Sequence, residues 1–388
     1  MQKEIVIVSA ARTPIGNFNG ALSSFSAIDL GVIAAQEAIR RAGIDPKEIN
    51  ETIVGNILSA GLGQNPARQI SVKSGVPITS PAMTLNILCG SGLRAVSLAA
   101  QMIETGDSDM ILAGGTESMT NAPYLLMQAR NGYKMGNGQV FDSMIKDALT
   151  DVFNDYHMGM TAENIAEKWQ ISRQEQDEFA VLSQNKCEVA QEAGKFKDEI
   201  VPVSIPQKKG DPIIFDTDEF PRKGVKLEHL EKIKAAFKKD GTVTAGNASG
   251  INDAAACLLL MAREKADALG LKPLAKVRGY ATAGVDPAYM GLGPIPAVRK
   301  LLQKQHLDIN DFGVIELNEA FAAQAIACVR ELKCDPEKVN LLGSGISLGH
   351  PIGCTGARII VTLLGQMQNG HSLGLASLCI GGGMGMAI

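Results

Sequence analysis

Asn86-Ile87-Leu88-Cys89-Gly90-Ser91-Gly92-Leu93-Arg94 sets a cysteine between an apolar run, Pro81–Leu88, and an Ala/Leu/Val/Met-rich stretch, Leu93–Ile103. The run reads as a short buried strand and the stretch as a helix. The end of the segment returns later in the chain. Ser91-Gly92-Leu93-Arg94 aligns with Thr355-Gly356-Ala357-Arg358 at an offset of 264 residues, and the same offset matches Gly106 to Gly370 and Ser108 to Ser372 without a gap. Identities in the same element order imply a duplicated domain.

Working outward, both ends of the chain alternate strand and helix. Ile5–Val8, Thr52–Leu58, Pro81–Leu88 and Met110–Ala113 read as strands. Asp29–Ala42, with Asp29 as N-cap and Gly43 as C-cap, and Pro66–Ser74 read as helices. Strands beginning at Ala275, Gly313, Val339 and Leu373 alternate with helices Ile295–Lys304, Ala320–Leu332 and Gly356–Met367. Alternation of this kind implies layered α/β domains. The expected organisation is a first half over residues 1–120, completed by 250–270, an inserted region over 121–249, and a second half over 271–388. The insert is richer in charge, amide and proline. It contains helices near Thr161–Trp169 and Gln174–Ala193, the second opened by a capping box, Ser172-Arg173-Gln174-Glu175. Its length is too great for a plain connection.

Composition narrows the function classes. The chain has 388 residues, 45% of them hydrophobic and 20% charged, ordinary values for a globular protein with a full core. A net charge of −4 argues against a general nucleic-acid binder. Seven cysteines, without C-x-x-C or Cys/His ligand spacing, favour free thiols over a disulfide framework or a zinc site. The longest apolar run, Ala254–Ala262, is too short to span a bilayer. Met1-Gln2-Lys3-Glu4 leads straight into the strand Ile5–Val8, and Gly-Met-Ala-Ile at the end is no peroxisomal signal. A cytoplasmic protein is expected.

Several residues have types suited to chemistry. Cys89 would stand at or just before a helix N-terminus, where unpaired N–H groups stabilise a thiolate; the plain alternative is a buried, inert cysteine. Gly349-His350-Pro351-Ile352-Gly353 holds one of five histidines in a stiff turn ahead of a helix, as a base for a thiol or as a structural histidine. Cys379-Ile380-Gly381-Gly382-Gly383-Met384-Gly385 exposes backbone amides that could form an oxyanion hole, and is also compatible with a tight hairpin. Asn318 in Asn318-Glu319-Ala320-Phe321 is either an N-cap or a ligand for a water or carbonyl. Between Arg222 and Lys239, seven Lys or Arg stand against two Glu, a solvated face or a landing site for a polyanion. Gly345-Ile346-Ser347-Leu348-Gly349 fits the hydrolase elbow G-x-S-x-G, but no Asp or Glu separates Ser347 from His371, so that fold fails on chain order. No G-x-G-x-x-G follows the first strand, which leaves a dinucleotide fold weak.

Taken together, Asn86–Gly92, Asn318–Phe321, Gly349–Gly353 and Cys379–Gly385 resemble the four active-site blocks of the thiolases, in that family's order and near its spacing. Ser9-Ala10-Ala11-Arg12-Thr13-Pro14, Ala113-Gly114-Gly115-Thr116-Glu117-Ser118-Met119 and Thr244-Ala245-Gly246-Asn247-Ala248-Ser249-Gly250 support the likeness, which covers essentially the whole chain. It implies an α/β thiolase fold: two duplicated βαβαβαββ halves in five αβαβα layers with an inserted loop domain, the helices after Cys89 and Gly353 forming the buried centre. It also implies a homotetramer, a dimer of dimers, with Tyr124–Phe141 where the biosynthetic subgroup carries its tetramerisation loop.

Carried over by resemblance, Cys89 is the nucleophile that takes an acyl group from acyl-CoA, His350 its activator, and Cys379 the second acid/base. Asn318, through a water, and His350 form one oxyanion hole; the backbone amides of Cys89 and Gly381 form the other. His157, Met158, Arg222, Ala245, Ser249, Met290 and Phe321 match substrate and CoA positions, and His157, Met158 and Met290 are more like acetoacetyl-CoA thiolases than long-chain degradative ones. Ser344, where a glycine is common, and Cys354, read as packing, depart from the pattern. His229 stands where relatives have a small polar residue. The expected activity is acetyl-CoA C-acetyltransfer, with no metal and no cofactor beyond the coenzyme A of the substrate. The alternatives are a broader 3-ketoacyl-CoA thiolase of β-oxidation, a decarboxylating Cys-His-His synthase, and a non-catalytic acyl-CoA or lipid binder.

Overall fold

In the computed structural model, residues 3–368, 370 and 372–388 are described. Met1, Gln2, Asn369 and His371, the last used above only for its place in chain order, lie outside them.

Two mixed sheets carry the molecule. The larger, seven-stranded one runs Ala275–Lys276, Ile5–Arg12, Asn252–Ala262, Met110–Ser118, Glu51–Gly55, Ala82–Leu85, with Gly16–Asn17 pairing beside Asn252–Ala262. The four-stranded one runs Ala281–Gly284, Met384–Ala387, Gly374–Ile380, Val314–Leu317, and Val339 adds a single parallel bridge to Ile315 at its far edge. Counted along each half, the spatial order in both sheets is first, fifth, fourth, second, third strand. This repeated order is the duplication in three dimensions, and each half reads βαβαβαββ. One reading needs correction. The strand at Ala275 does not open the second sheet but pairs antiparallel with Ile5–Arg12 at the edge of the first. Ala281–Gly284 opens the second sheet instead, pairing with Met384–Ala387.

The apolar side chains explain the layering. Along Asn252–Ala262, Ala254, Ala256, Leu258, Leu260 and Ala262 face a central core, whereas Ala255, Cys257, Leu259 and Met261 face an outer one. A strand covered on both sides needs such a continuous apolar run. Helix Ala27–Ala42 covers the outer face of the first sheet, helices Pro294–Gln305 and Ala322–Leu332 cover that of the second, and helices Ser91–Thr105 and Ile352–Met367 lie between the sheets. The result is five αβαβα layers. Cys354 is buried in the central core, in keeping with a packing role.

Helix ends follow local chemistry. The first helix begins at Ala27, and its N-cap is Ser26 rather than Asp29. Ser26 accepts from Asp29 N–H and Asp29 answers by accepting from Ser26 N–H, a reciprocal box that the Asp29 reading missed by one turn. Gly43 ends that helix at φ +66°, a left-handed C-cap. Ser172 caps helix Arg173–Glu192 through Glu175 N–H, but Glu175 turns away to pair with Arg330, leaving half of the expected box.

The segment between the fourth and fifth strands of the first half folds over the rim of the second. Fully buried Arg12, on the first strand, donates to both oxygens of Asp218 at 2.7 and 2.9 Å and to Glu199 at 2.6 Å. Farther on, Ser249 N–H donates to Ala320 O and Ala322 N–H to Asn247 O, which places Ser249 beside Phe321.

Candidate active site

Cys89 occupies a sharp turn ahead of helix Ser91–Thr105, with Gly90 in the N-cap position. Leu88 adopts φ +48°, a conformation uncommon for a branched residue. Ser91 holds the turn from the helix side: its hydroxyl donates to Leu88 O at 2.7 Å and accepts Ile87 N–H at 2.9 Å. A Cβ on Gly90 would lie 2.4 Å from Ile380 Cδ1, so a larger residue there would push the Ile380 side chain aside. Burial pushes the Cys89 thiol up to about 11, while the N–H groups of Gly381 and of Cys89 itself, aimed at the sulfur, draw it back.

His350 reaches this sulfur from the other half. Its Nε2 lies 3.3 Å from Cys89 Sγ and its Nδ1 2.7 Å from Thr355 Oγ1. The Thr355 proton is committed to Pro351 O at 2.9 Å, so Thr355 accepts from Nδ1–H. Nε2 is then the bare nitrogen, oriented to take the thiol proton. The backbone is fixed as well: His350 N–H donates to Asn252 Oδ1 at 3.0 Å, and Asn252 Nδ2 donates to Gly16 O at 3.0 Å. Burial, with the charge of Arg358 adding to it, pushes the imidazole down to about 4. At neutral pH the resting pair is therefore an uncharged thiol beside an uncharged base.

Cys379 lies near the end of strand Gly374–Ile380, opposite Gly385 in the last hairpin. Burial first, and then the neighbouring Cys89, raise its thiol well above the ordinary value. Gly382 and Gly383 take φ +79° and +86° in the connecting turn, so the hairpin and the exposed amides are features of one structure.

A cavity of about 640 Å³ opens over these groups. Cys89, His350, Cys379 and Gly381 share its wall with His157, Met158, Arg222, Ala245, Ser249, Met290 and Phe321. Asn318 is the exception. Helix Ala322–Leu332 begins beyond it, with Phe321 in the N-cap position, so Asn318 is not the cap. Its backbone N–H donates to Ser377 O on the strand that carries Cys379, and its side chain is fully buried with neither amide atom partnered by the protein. Such an amide needs a polar guest. Next to it, Glu319 accepts from Ser183, Asn340 and Ile346 N–H at 2.6, 2.8 and 3.3 Å, anchoring the block.

The entrance is aromatic and basic. His157 caps helix Met158–Lys168 by accepting Gly159 N–H at its Nδ1, and stacks on Phe237 at 4.6 Å. Phe237 in turn meets Phe321 edge-on. The seven basic side chains from Arg222 to Lys239 are all exposed, Arg222 lining the mouth. His229 faces away from this role, accepting Lys226 N–H within a single helical turn.

Residues 5–264 match the thiolase N-terminal domain and residues 271–388 the thiolase C-terminal domain. The chain belongs to the thiolase family. An acetyl-CoA acetyltransferase of Syntrophomonas wolfei is 57% identical over 393 residues, covering 100% of this chain and 99% of that one. One from Chromobacterium violaceum is 54% identical over 386 residues, covering 99% and 98%. The solved structure of the Bacillus anthracis acetyl-CoA acetyltransferase matches with a TM-score of 0.97 at 45% identity, over 100% of this chain and 98% of that one.

Thiolase-family motifs did not reveal everything at the site. Thr355, Asn252 and Phe237 were missed, as were the wall residues Met119, Leu149 and Phe220. Thr355 was visible in the repeat, as the counterpart of Ser91, and its hydroxyl holds the His350 turn as Ser91 holds the Cys89 turn. Ser344, the departure from glycine, accepts from buried Arg358 at 3.3 Å. Among the described residues, no helix is long and apolar enough to cross a membrane.

Proposed function

We propose that the chain is an acetyl-CoA C-acetyltransferase, condensing two acetyl-CoA reversibly to acetoacetyl-CoA and CoA. The single observation that carries the reading is the 3.3 Å approach of His350 Nε2 to Cys89 Sγ in a cavity that Cys379 also lines. His350 takes the Cys89 proton as the sulfur attacks the thioester carbonyl; the carbon–sulfur bond to CoA breaks, the departing CoA sulfur takes the Cys379 proton, and an acetyl group stays on Cys89. The Cys379 thiolate removes the methyl proton of a second acetyl-CoA, the resulting enolate attacks the acetyl carbon, and Cys89 leaves and takes back the proton held by His350. A thioester α-carbon is a weak acid, so the enolate needs ready-made donors. His350 and a water on Asn318 supply them for the enolate oxygen, and the N–H groups of Cys89 and Gly381 supply them for the acyl oxygen. The unpartnered Asn318 amide supports this assignment, as does the aim of both N–H groups at the Cys89 sulfur.

His157, Met158, Ala245, Ser249, Met290 and Phe321 flank the pantetheine arm and acyl end, and Arg222 with its basic neighbours receives the CoA phosphates. No other cofactor takes part. The enzyme works in the cytoplasm as a homotetramer; exposed Tyr124, Leu126, Met127, Met135 and Val140 in the hairpin loop support a further contact surface there. Incubation with acetyl-CoA followed by peptide mapping tests the reading: the acetyl group is expected on Cys89, and a label elsewhere or none at all refutes it. The ratio of thiolysis rates for acetoacetyl-CoA and a longer 3-ketoacyl-CoA separates this activity from a broader β-oxidation thiolase.

A further inference from the structure

Glu117, at the end of strand Met110–Ser118, is fully buried and takes no part in the mechanism above. Its carboxylate is saturated by donors from two directions. Oε1 accepts Asn56 Nδ2 at 2.9 Å and Leu58 N–H at 3.1 Å; Oε2 accepts Ile57 N–H at 3.2 Å and Gly353 N–H at 3.0 Å. The first three donors belong to the half that carries Cys89, and the fourth to the first turn of helix Ile352–Met367, three residues after His350. Close packing seals this junction. A Cβ on Gly115 would lie 2.0 Å from Gly353 O, and one on Gly353 would lie 2.8 Å from Glu117 Oε2.

Burial pushes this carboxyl up to about 7, the backbone donors pull it back, and the charge of Asp253 adds to the rise. A buried carboxylate without a cation is costly, and four N–H donors are what makes it tolerable. A glutamine in its place would turn an NH₂ group toward two of those donors. Nothing about packing alone calls for an anion here.

We propose that Glu117 is a positioning residue for acyl transfer, clamping the turn after His350 onto the Cys89 half and so setting the approach of Nε2 to Sγ. The inference rests on the acetyltransferase reading for its consequence in turnover, but the geometry it describes is measurable without that reaction.

The test compares wild type with Glu117→Gln. In thiolysis, kcat is expected to fall by about tenfold or more, since small displacements of a reacting group are costly, with KM for CoA unchanged. A purely structural residue would lower the melting temperature and leave kcat per folded molecule intact. The second readout is alkylation of Cys89 by iodoacetamide at pH 7. Loss of the negative charge alone would speed it, because the carboxylate opposes the thiolate. Misplacement of His350 is expected to slow it. Alkylation as fast as in wild type, or faster, with kcat retained would overturn the proposal. If wild type fails to condense acetyl-CoA, the acetyltransferase reading falls and the alkylation comparison still decides this one. Should Glu117→Gln not fold, Asn56→Ala removes one of the four donors. It is expected to lower kcat and alkylation in the same direction, and wild-type values for both would refute the clamp.

Discussion

Gly92 and Gly356 meet where the two buried helices touch, and neither has room for a side chain. A Cβ on Gly92 would lie 2.5 Å from Ala357 N, and one on Gly356 would lie 2.3 Å from Leu93 N. They are one position of the repeat, used twice. Their contact joins the N-terminal ends of both helices, and the turns that lead into those ends carry Cys89 on one side and His350 on the other. The family's site therefore depends on a backbone approach that only the absence of two side chains permits.

Gly92→Ala is expected to destabilise the protein by about 3 kcal/mol, because the new methyl faces fixed backbone rather than a movable side chain. Gly365→Ala, in the same helix as Gly356, is the control: its nearest neighbour would be Glu199 Oε2 at 3.8 Å. There the helix gains about 0.5–1 kcal/mol from the lost chain entropy of glycine. Urea unfolding midpoints for the two variants should move in opposite directions, and equal shifts would refute the account.

Thr355→Val keeps the shape of the side chain but removes the acceptor for His350 Nδ1–H. The histidine then loses its reason to hold the tautomer with a bare Nε2. A fall in kcat of about tenfold to a hundredfold is expected, with KM unchanged, and Thr355→Ser should restore most of it. Wild-type kcat in the valine variant would show that the tautomer is set elsewhere.

The sequence made the architecture legible wherever burial imposed a pattern. The pairs Ser91–Thr355 and Gly92–Gly356 mark the duplication in the sequence itself, whereas Ala254–Ala262, which reads there only as an apolar run too short for a bilayer, is the strand covered on both faces. The four motif blocks named the residues around the cavity because each block is local. Asn252 and Glu117 stayed hidden for the opposite reason. Asn252 acts on a backbone N–H 98 residues away, and Glu117 on one 236 residues away. A single donor–acceptor pair at such range leaves no periodicity to read. The misplaced Ala275 strand is a two-residue edge whose sheet is decided by its neighbours, not by its own side chains. Asp29 lost the cap to Ser26 because both residues suit an N-terminus and only the geometry separates them.

His350 makes stability depend on pH. In the native protein it resists protonation down to about 4, against 6.5 for a free imidazole. Between those values the unfolded chain binds a proton that the native state does not, so the unfolded state gains as pH falls. The stability contributed by the neutral imidazole is complete above about 6.5 and is withdrawn on the way to 4, on the order of 3 kcal/mol over the window. Glu117 and Glu316, both pushed up to about 7 by burial, act in the other direction: their contribution is full below 4.5 and fades as pH rises through 7. A His350→Asn variant removes only the first effect. Its unfolding free energy should rise less from pH 4 to 6.5 than that of wild type; an equal or steeper rise would place the imidazole outside the linkage.

Cys89 and Cys379 share the cavity but should separate in experiment, because they serve different half-reactions. Attack on the thioester needs Cys89, His350 and the two N–H groups aimed at the sulfur, all of which survive Cys379→Ala, and the released CoA sulfur can there take its proton from His350. Removal of the methyl proton from the second acetyl-CoA needs a base above the acyl group, and in that variant none remains on the Cys379 strand. Cys379→Ala should therefore still acquire an acetyl group on Cys89 while losing deuterium exchange at the acetyl-CoA methyl. Cys89→Ala should block the acyl label altogether. Burial holds the Cys379 thiol neutral at rest, so its role as a base begins only once it has given its proton to the CoA sulfur that acylation releases. Exchange in wild type should then depend on prior acylation of Cys89, and exchange at the wild-type rate in Cys379→Ala would remove Cys379 from the proton transfer.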